Sequence, residues 1–465
     1  MRLVLTFLSI LSMILTAQVS RAQSQPIRTT YVKLGSSSAL LMEPTTPGPR
    51  SHIAIVYTYP GTSLSLNLGP VNNFNDPTGP QLASRGYREL LLNHGLAGPK
   101  VGYESIAPAI GQAIKYARSL PGVDTVLLFG HSIGGPLVAF YENVAENGPG
   151  VCQGPEKIYP CAGDRLKDLP KADGVIFTDV HLGEAFRLLT YVDPAVTDEA
   201  HPLKRNPSLD MFQAANGYDR STTGATYSMS FLKEFFAAQA ARNDKLISEA
   251  LARLSAIKEG KGKYKDDEPF EVSEANARPL QSDVNLISRT RDQHLLLKSD
   301  GTNAMQIVKS VRPPMGQDKD VGTYEQYTVR GFLAGEAIRT TKDYMMTEDS
   351  ITGVDWPSSS NSAPSNVEGI KVPVLIMSMT CHYFEVPDEI LFDHAASKDK
   401  ELVYVEGAAH EYTPCRPEYG DTMKRTFDYM DGWLSKDKRF SSNGHITSSN
   451  QPEQPSVVDG GRPRG

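Results

Sequence analysis

The sequence predicts an α/β protein with a doubly covered, mostly parallel central sheet. Short, continuous apolar runs such as "HIAIVYT", "DTVLLFG" and "DGVIFTD" alternate with segments of helical spacing such as "SIAPAIGQAIKYARSL". Runs of this kind are typical of parallel strands that are buried on both faces. After a long interruption the alternation resumes with "KVPVLIMSM" and "ELVYVEG", and the helical segment "DTMKRTFDYMDGWL" closes the fold.

The bulk composition is that of a globular protein with a large core. The chain has 465 residues, of which 40% are hydrophobic and 22% are charged. Its net charge is −7, and no basic cluster is dense enough to bind a run of phosphates. The composition therefore argues against nucleic acid as a partner.

The N-terminal segment 1–22 has the pattern of a secretory signal peptide. One arginine precedes an apolar stretch of about 14 residues, which is shorter than a membrane span. Ser20 and Ala22 fit the small-residue positions before a cleavage site after Ala22. We therefore expect a secreted or periplasmic protein without a stable membrane anchor.

Changes in pattern along the chain divide the rest into four parts. Core segments at 23–187 and 370–435 flank an insertion at 188–369, and residues 436–465 form a polar tail that we expect to be disordered. We expect a largely helical insertion, because "FLKEFFAAQAARNDKLISEALARLSAI" has long amphipathic spacing. Within it, "KEGKGKYKDDE" predicts a solvated linker and "WPSSSNSAPSN" an irregular loop.

The stretch "TVLLFGHSIGGPL" predicts a nucleophile at Ser132. A Gly-x-Ser-x-Gly motif lies between an apolar strand and a helical segment, which is the context that a nucleophile elbow requires. Gly130, Gly134 and Gly135 leave room for a tight turn. Ser132 then projects above the carboxyl edge of the sheet, where ligands of such sheets bind.

The motif "GHSIGG", together with "YPGTS" upstream and "GAAH" downstream, resembles the α/β-hydrolase superfamily in its serine esterase and lipase branch. The resemblance covers about residues 50–187 and 370–435. It implies an α/β-hydrolase fold with a cap inserted between strands 6 and 7, which is where the insertion lies. It also implies a triad in the chain order serine, acid, histidine.

His410 is the predicted general base among the ten histidines of the chain. It follows the strand "ELVYVEG" through "GAAH", late in the chain and at the carboxyl edge of the sheet. His131, beside the serine on a tight turn, is expected to pack structurally. His181 and His382 follow other strands and are candidates to line the pocket.

The acid of the triad is left open between two residues. The superfamily usually places an Asp in the loop after strand 7, but here that loop reads "MTCHYFEVPDE" and lacks it. Asp179 lies at the carboxyl end of strand 6, from which some lipases of the superfamily take their acid. Glu385 is the alternative, whereas Glu389 has the position of a helix N-terminal acid. We rank Asp179 first.

Two backbone N–H groups are expected to form the oxyanion hole. One belongs to Ile133, the residue after the nucleophile. The other comes from "YPGTS"; because Pro60 has no N–H, we assign it to Thr62 rather than Gly61.

Four cysteines in an exported chain suggest two disulfides. Cys152 and Cys161 would close a short Pro/Gly-rich loop. Cys381 and Cys415 follow strands that the resemblance makes neighbours, so a bond there would clamp the loop that carries His410. The spacing of the cysteines is not that of a metal site.

The sequence thus predicts an exported serine hydrolase that cleaves a small-molecule carboxylic ester without cofactor or metal. The alternatives are an amidase or thioesterase that uses the same site, and a catalytically weak binding protein, which the missing Asp motivates. The insertion is expected to set substrate choice. Its aromatic residues are expected either to line a pocket or, at helical spacing, to form a core: Tyr227, Phe231, Phe235 and Phe236.

Overall fold

A computed structural model describes residues 26–58, 78–94, 102–273, 276–315, 324–436 and 439–440. The predicted signal peptide, Thr62 and nearly all of the predicted tail lie outside these residues. In the part of the chain that is described, no helix combines the length and the apolar character needed to cross a membrane.

The first part of the chain alternates strands and helices, as the apolar pattern predicts. Strands β3, β5 and β6 are buried along their whole length, because helices cover both faces of the sheet. The elements are β1 (Ile27–Leu34), β2 (Ser37–Pro44), β3 (Ile53–Thr58), α1 (Thr78–Ser84), β4 (Arg88–Asn93), α2 (Ala107–Ser119), β5 (Thr125–His131), α3 (Gly134–Asn147), β6 (Gly174–Thr178) and α4 (Glu184–Tyr191).

The chain between β6 and β15 contains one long helix, several short ones and several hairpins. Its elements are β7 (Tyr218–Asp219), β8 (Gly224–Ala225), α5 (Met229–Lys258), β9 (Pro269–Ser273), α6 (Pro279–Ser282), β10 (Arg289–Leu297), β11 (Asn303–Lys309), β12 (Tyr324–Thr328), α7 (Val329–Gly335), β13 (Arg339–Met346), β14 (Ile351–Asp355) and α8 (Ala363–Val367). The last elements are β15 (Val374–Met379), α9 (Glu385–His394), β16 (Lys400–Val405) and α10 (Thr422–Leu434).

The central sheet has ten strands in the order β1-β2-β4-β3-β5-β6-β15-β16-β10-β11. All pairs from β4 to β10 in this order are parallel, and antiparallel pairs occur only towards the two edges. One apolar cluster lies on each face of the sheet, under the flanking helices. The predicted fold class, a doubly covered and mostly parallel sheet, is confirmed.

Part of the predicted insertion shares the central sheet. Within 188–369, strand β10 pairs in parallel with β16, and β11 extends the sheet beyond it. This segment therefore lies partly inside the core rather than wholly in a cap. The strand was missed because "RTRDQHLLL" is half exposed and lacks the continuous apolar run of a central strand.

The rest of this segment packs around its own apolar clusters. The four aromatic residues left open above are all buried in one of them, so they form core rather than a free pocket wall. Helix α5 begins after Ser228, whose hydroxyl accepts a hydrogen bond from the N–H of Phe231.

The stretch "WPSSSNSAPSN" is more regular than the loop that its composition predicts. It contains α8 and is mostly buried. Asn361 donates to the backbone oxygen of Gly335, and Asn366 donates to that of Ser362. Polar side chains can be buried here because they satisfy backbone carbonyls.

Candidate active site

The turn between β5 and α3 places Ser132 at the carboxyl edge of the sheet. Ser132 adopts a left-handed conformation with φ of 53°. Its N–H donates to the backbone oxygen of Thr178, and its own backbone oxygen accepts from the N–H of His181. The strained residue is thus held between the ends of β5 and β6, which is the geometry of a nucleophile elbow.

The glycines of the motif are required by close approaches of the backbone. A Cβ on Gly130 would lie 2.6 Å from the backbone oxygen of Gly134. A Cβ on Gly135 would lie 2.3 Å from Cγ1 of Val180. No side chain fits at either position without moving the elbow, so the spacing in the sequence follows from the turn itself.

His410 and Asp179 form the contact that the site is built around. Nδ1 of His410 is hydrogen-bonded to Oδ2 of Asp179. The other carboxylate oxygen accepts from the N–H of Met379 at 3.2 Å. Because a carboxylate only accepts, Nδ1 of His410 carries the proton and Nε2 is left with the lone pair of a general base.

The electrostatics of this pair favour an ion pair once His410 is protonated. Burial raises the pKa of Asp179, but His382 and His410 more than offset it and hold this pKa below its usual range. Burial alone would lower the pKa of His410, whereas the hydrogen bond and charge of Asp179, with the charge of Glu411, raise it above its usual value.

Of the two acids that the sequence left open, only Asp179 contacts His410 among the described residues. Glu385 lies fully buried at the start of α9, and burial raises the pKa of its carboxyl to about 8. Glu389 accepts from the backbone N–H groups of Arg291 and Asp292, so it joins α9 to β10.

Two further histidines flank His410. The ring of His131 lies 4.5 Å from that of His410, and the ring of His382 lies 4.4 Å from it, centroid to centroid. Sequence reasoning treated His131 as structural packing and missed this arrangement. A signal was present, since both residues end or follow strands at the same edge of the sheet as Asp179.

Of the two predicted oxyanion donors, only Ile133 lies within the described residues. Ile133 lies directly before α3, in the first turn, where N–H groups have no acceptor within the helix. Its N–H therefore has the position that the sequence predicted for an oxyanion donor. Thr62 lies outside the described residues.

The structure contains both of the disulfides that were favoured from the sequence, Cys152–Cys161 and Cys381–Cys415. The second joins the loop after β15 to the loop that carries His410. Between the same loops, Cys381 donates its N–H to the backbone oxygen of Ala408. The position of His410 is therefore tied to the neighbouring strand end.

A pocket next to His410 lies between α4, α6 and the loop after β15. Phe384 links the two, because its ring lies 5.8 Å from His410 and 5.7 Å from His181, which lines the pocket. Most of the wall is apolar, and the lining residues are His181, Leu182, Phe186, Thr190, Tyr191, Arg278, Leu280, Gln281, Ile287, Tyr383, Phe384 and Pro387.

Among the described residues, two sets of metal-ligand atoms lie within 4.8 Å of one another: His131, His410 and Glu411, and Asp179, His382 and His410. Both sets share His410, whose Nδ1 is hydrogen-bonded to Asp179.

The sheet order, the left-handed serine between β5 and α3, and the acid and histidine after β6 and β16 together define an α/β-hydrolase fold. No protein-family model matches the chain. No curated protein matches it significantly either.

The solved structures to which this chain is similar include several hydrolases. A soluble variant of monoglyceride lipase from Saccharomyces cerevisiae, in complex with a substrate analogue, is 13% identical with a TM-score of 0.37, covering 90% of this chain and 96% of that one. Brefeldin A esterase, a bacterial homologue of human hormone-sensitive lipase, is 11% identical with a TM-score of 0.36, covering 92% and 80%. Proline iminopeptidase from Mycobacterium smegmatis is 11% identical with a TM-score of 0.36, covering 88% and 97%. These distant likenesses say nothing about the substrate.

Proposed function

We propose that this protein is an exported serine hydrolase that cleaves a carboxylic ester. The observation that carries the proposal is the contact of His410 Nδ1 with the buried carboxylate of Asp179, at the sheet edge where Ser132 occupies a nucleophile elbow. A serine is activated for acyl transfer by an imidazole that a carboxylate orients, and here such an imidazole and a strained serine lie at the same edge of the sheet.

In the proposed reaction, Nε2 of His410 takes the proton of the Ser132 hydroxyl as its oxygen attacks the ester carbonyl. The N–H groups of Ile133 and Thr62 stabilise the negative charge on the carbonyl oxygen. Asp179 stabilises the imidazolium that forms on His410. The alcohol leaves with the proton from His410, and water repeats the sequence to release the acid and free Ser132.

The small pocket behind Phe384 is the proposed site for an apolar group of the ester, because its wall is mostly apolar and the ring of Phe384 lies against that of His410. Two disulfides in one chain support the exported location, since oxidising compartments preserve them.

A fluorophosphonate probe tests the nucleophile. We expect covalent labelling of Ser132, hydrolysis of p-nitrophenyl acetate, and loss of both in Ser132→Ala. If the wild type is neither labelled nor active on esters, the hydrolase proposal is wrong and a binding function on this fold takes its place. Turnover of p-nitroanilides in preference to esters would indicate an amidase.

The acid is tested by a matched pair of variants. Asp179→Asn leaves His410 without its carboxylate, so we expect kcat to fall by about 10³- to 10⁴-fold. Glu385→Gln removes a buried carboxyl that does not contact His410, so we expect a change of less than about tenfold. The reverse order of effects would assign the role to Glu385.

A further inference from the structure

We propose that His131 and His382 are positioning residues whose rings pack against the His410 imidazole and hold its orientation. This inference rests on the proposed function, because it concerns the imidazolium that forms on His410 during acyl transfer. In this arrangement the cation is stabilised against two neutral aromatic rings, and its ring plane is fixed for proton transfer to and from Ser132.

The two rings reach His410 from the strands on either side of β6. His131 ends β5 and His382 follows β15, and these strands are the two neighbours of β6, which carries Asp179 at its end. Strands two positions apart in a sheet are separated by about 10 Å. The rings of His131 and His382 lie 4.5 Å and 4.4 Å from the ring of His410, so together they span this gap.

Each flanking ring is itself held in place. Nδ1 of His131 lies 3.1 Å from the backbone oxygen of Thr178 and 3.1 Å from the hydroxyl of Tyr412. His382 packs against the rings of Tyr383 and Phe384, at 4.1 Å and 4.6 Å between centroids. Both are therefore able to restrict the orientation of a ring that lies against them.

His382 presents its ring face to His410 and its Nδ1 to Asp179. Its ring is stacked on that of His410 with an angle of 29° between the planes. Its Nδ1 lies 2.8 Å from Oδ2 of Asp179, the oxygen that His410 also contacts.

Burial keeps the flanking rings neutral. It lowers the pKa of His131 well below the usual value for histidine, and it lowers the pKa of His382 in the same direction. Asp179 and Glu411 raise the pKa of His410, so the proton taken from Ser132 stays on the central ring. The ionisable groups around the cluster are Asp179, His181, Arg312, Tyr383, Glu411 and Tyr412.

Two substitutions at one position separate a ring face from an N–H donor. We expect His382→Ala to lower kcat by about tenfold and to leave KM within about twofold of the wild type. The substitution removes the ring that packs against protonated His410, whereas substrate binding involves the neutral form. His382→Phe restores a ring face without an N–H, so we expect it to recover most of the lost kcat. The acidic limb of the pH profile of kcat/KM should not move in His382→Phe. The matched controls are His394→Ala and His394→Phe. His394 is the last residue of α9, is partly exposed, and pairs with Glu368.

Several results would overturn the proposal. They are an unchanged kcat in His382→Ala, an effect on KM alone, a kcat in His382→Phe as low as in His382→Ala, and a shifted acidic limb in His382→Phe. If the wild type fails to react with the fluorophosphonate, the proposed function itself is wrong, so the two failures are distinguishable.

A measurement on the wild type covers the case in which these variants do not fold. In protein labelled with ¹³C at histidine Cε1, the resonances are assigned through contacts with Tyr383 and Tyr412. We expect His410 to titrate at a higher pH than His131 and His382, because burial lowers the pKa of both flanking rings while Asp179 raises that of His410. Titration of His131 or His382 at or above the pH at which His410 titrates contradicts their neutral role.

Discussion

Backbone strain at single residues shapes the site. Ser132 and Asp179 both adopt left-handed conformations, with φ of 53° and 49°, at the ends of two adjacent strands. Strain of this kind costs about 1–3 kcal/mol per residue and persists only where the surroundings enforce it. Here the N–H of Ser132 binds the backbone oxygen of Thr178, and that of Asp179 binds the backbone oxygen of Met377.

The first prediction concerns Gly130. In Gly130→Ala the new Cβ meets backbone rather than a flexible side chain, so the elbow must shift. We expect kcat to fall by at least about tenfold and the free energy of unfolding to fall by about 1–3 kcal/mol. Kinetics and urea titration measure both. Gly150→Ala, where a Cβ meets nothing within 4 Å, is the control and should match the wild type.

At the scale of elements, helix α3 carries a buried carboxyl that links stability to pH. Glu142 accepts from the N–H of Ala172 at 3.0 Å, and burial raises its pKa from 4.5 to about 8. Between these two pH values the carboxyl of Glu142 is ionised in the unfolded chain and protonated in the folded chain. The contribution of Glu142 to stability is therefore lost as the pH rises through this window.

The second prediction follows from this linkage. Glu142→Gln removes the titration, so its stability relative to the wild type should increase by about 1.4 kcal/mol per pH unit between about pH 4.5 and 8, and level off above. Urea titrations at several pH values measure it. Glu234→Gln, at an exposed position of α5, is the control for the loss of a surface carboxyl. A pH-independent difference between Glu142→Gln and the wild type would contradict the prediction.

The third prediction concerns the two loops joined by a disulfide. Cys381–Cys415 spans 34 residues and ties down the loop of His410, whereas Cys152–Cys161 spans 9. We expect Cys381→Ser with Cys415→Ser to reduce stability by about 2–4 kcal/mol and to lower kcat. Cys152→Ser with Cys161→Ser should cost less stability and leave kcat unchanged. Equal effects of the two pairs on kcat would argue against a role in positioning the base.

At the scale of the whole molecule, the segment between β6 and β15 shares its sheet with the core. Because β10 lies against β16 and is bound to α9 through Glu389, we expect the core and this segment to unfold together.

The fourth prediction tests this cooperativity. The chain has two tryptophans. Trp356 lies in the apolar cluster of the inserted segment, and Trp433 lies under the sheet on α10. In Trp356→Phe and Trp433→Phe, the fluorescence of the remaining tryptophan should report the same fraction unfolded as circular dichroism at each urea concentration. If the fluorescence of Trp356 changes well before the dichroism does, the inserted segment unfolds on its own.

Local patterns in the sequence determine much of this protein. Continuous apolar runs specify the buried parallel strands, and the glycines around Ser132 specify the elbow, because both depend on near neighbours in the chain. The position of His410 follows from the strand before it. Other features depend on contacts between distant residues, and only the tertiary structure decides them.

Three such features stand out. Asp179 meets His410 across 231 positions of sequence, so the choice between it and Glu385 depends on how β6, β15 and β16 are placed side by side. The half-exposed β10 becomes a sheet strand only because β16 offers it a partner. The packing of His131 and His382 against His410 follows from the spacing of β5, β6 and β15 in the sheet. No local sequence pattern predicts this spacing.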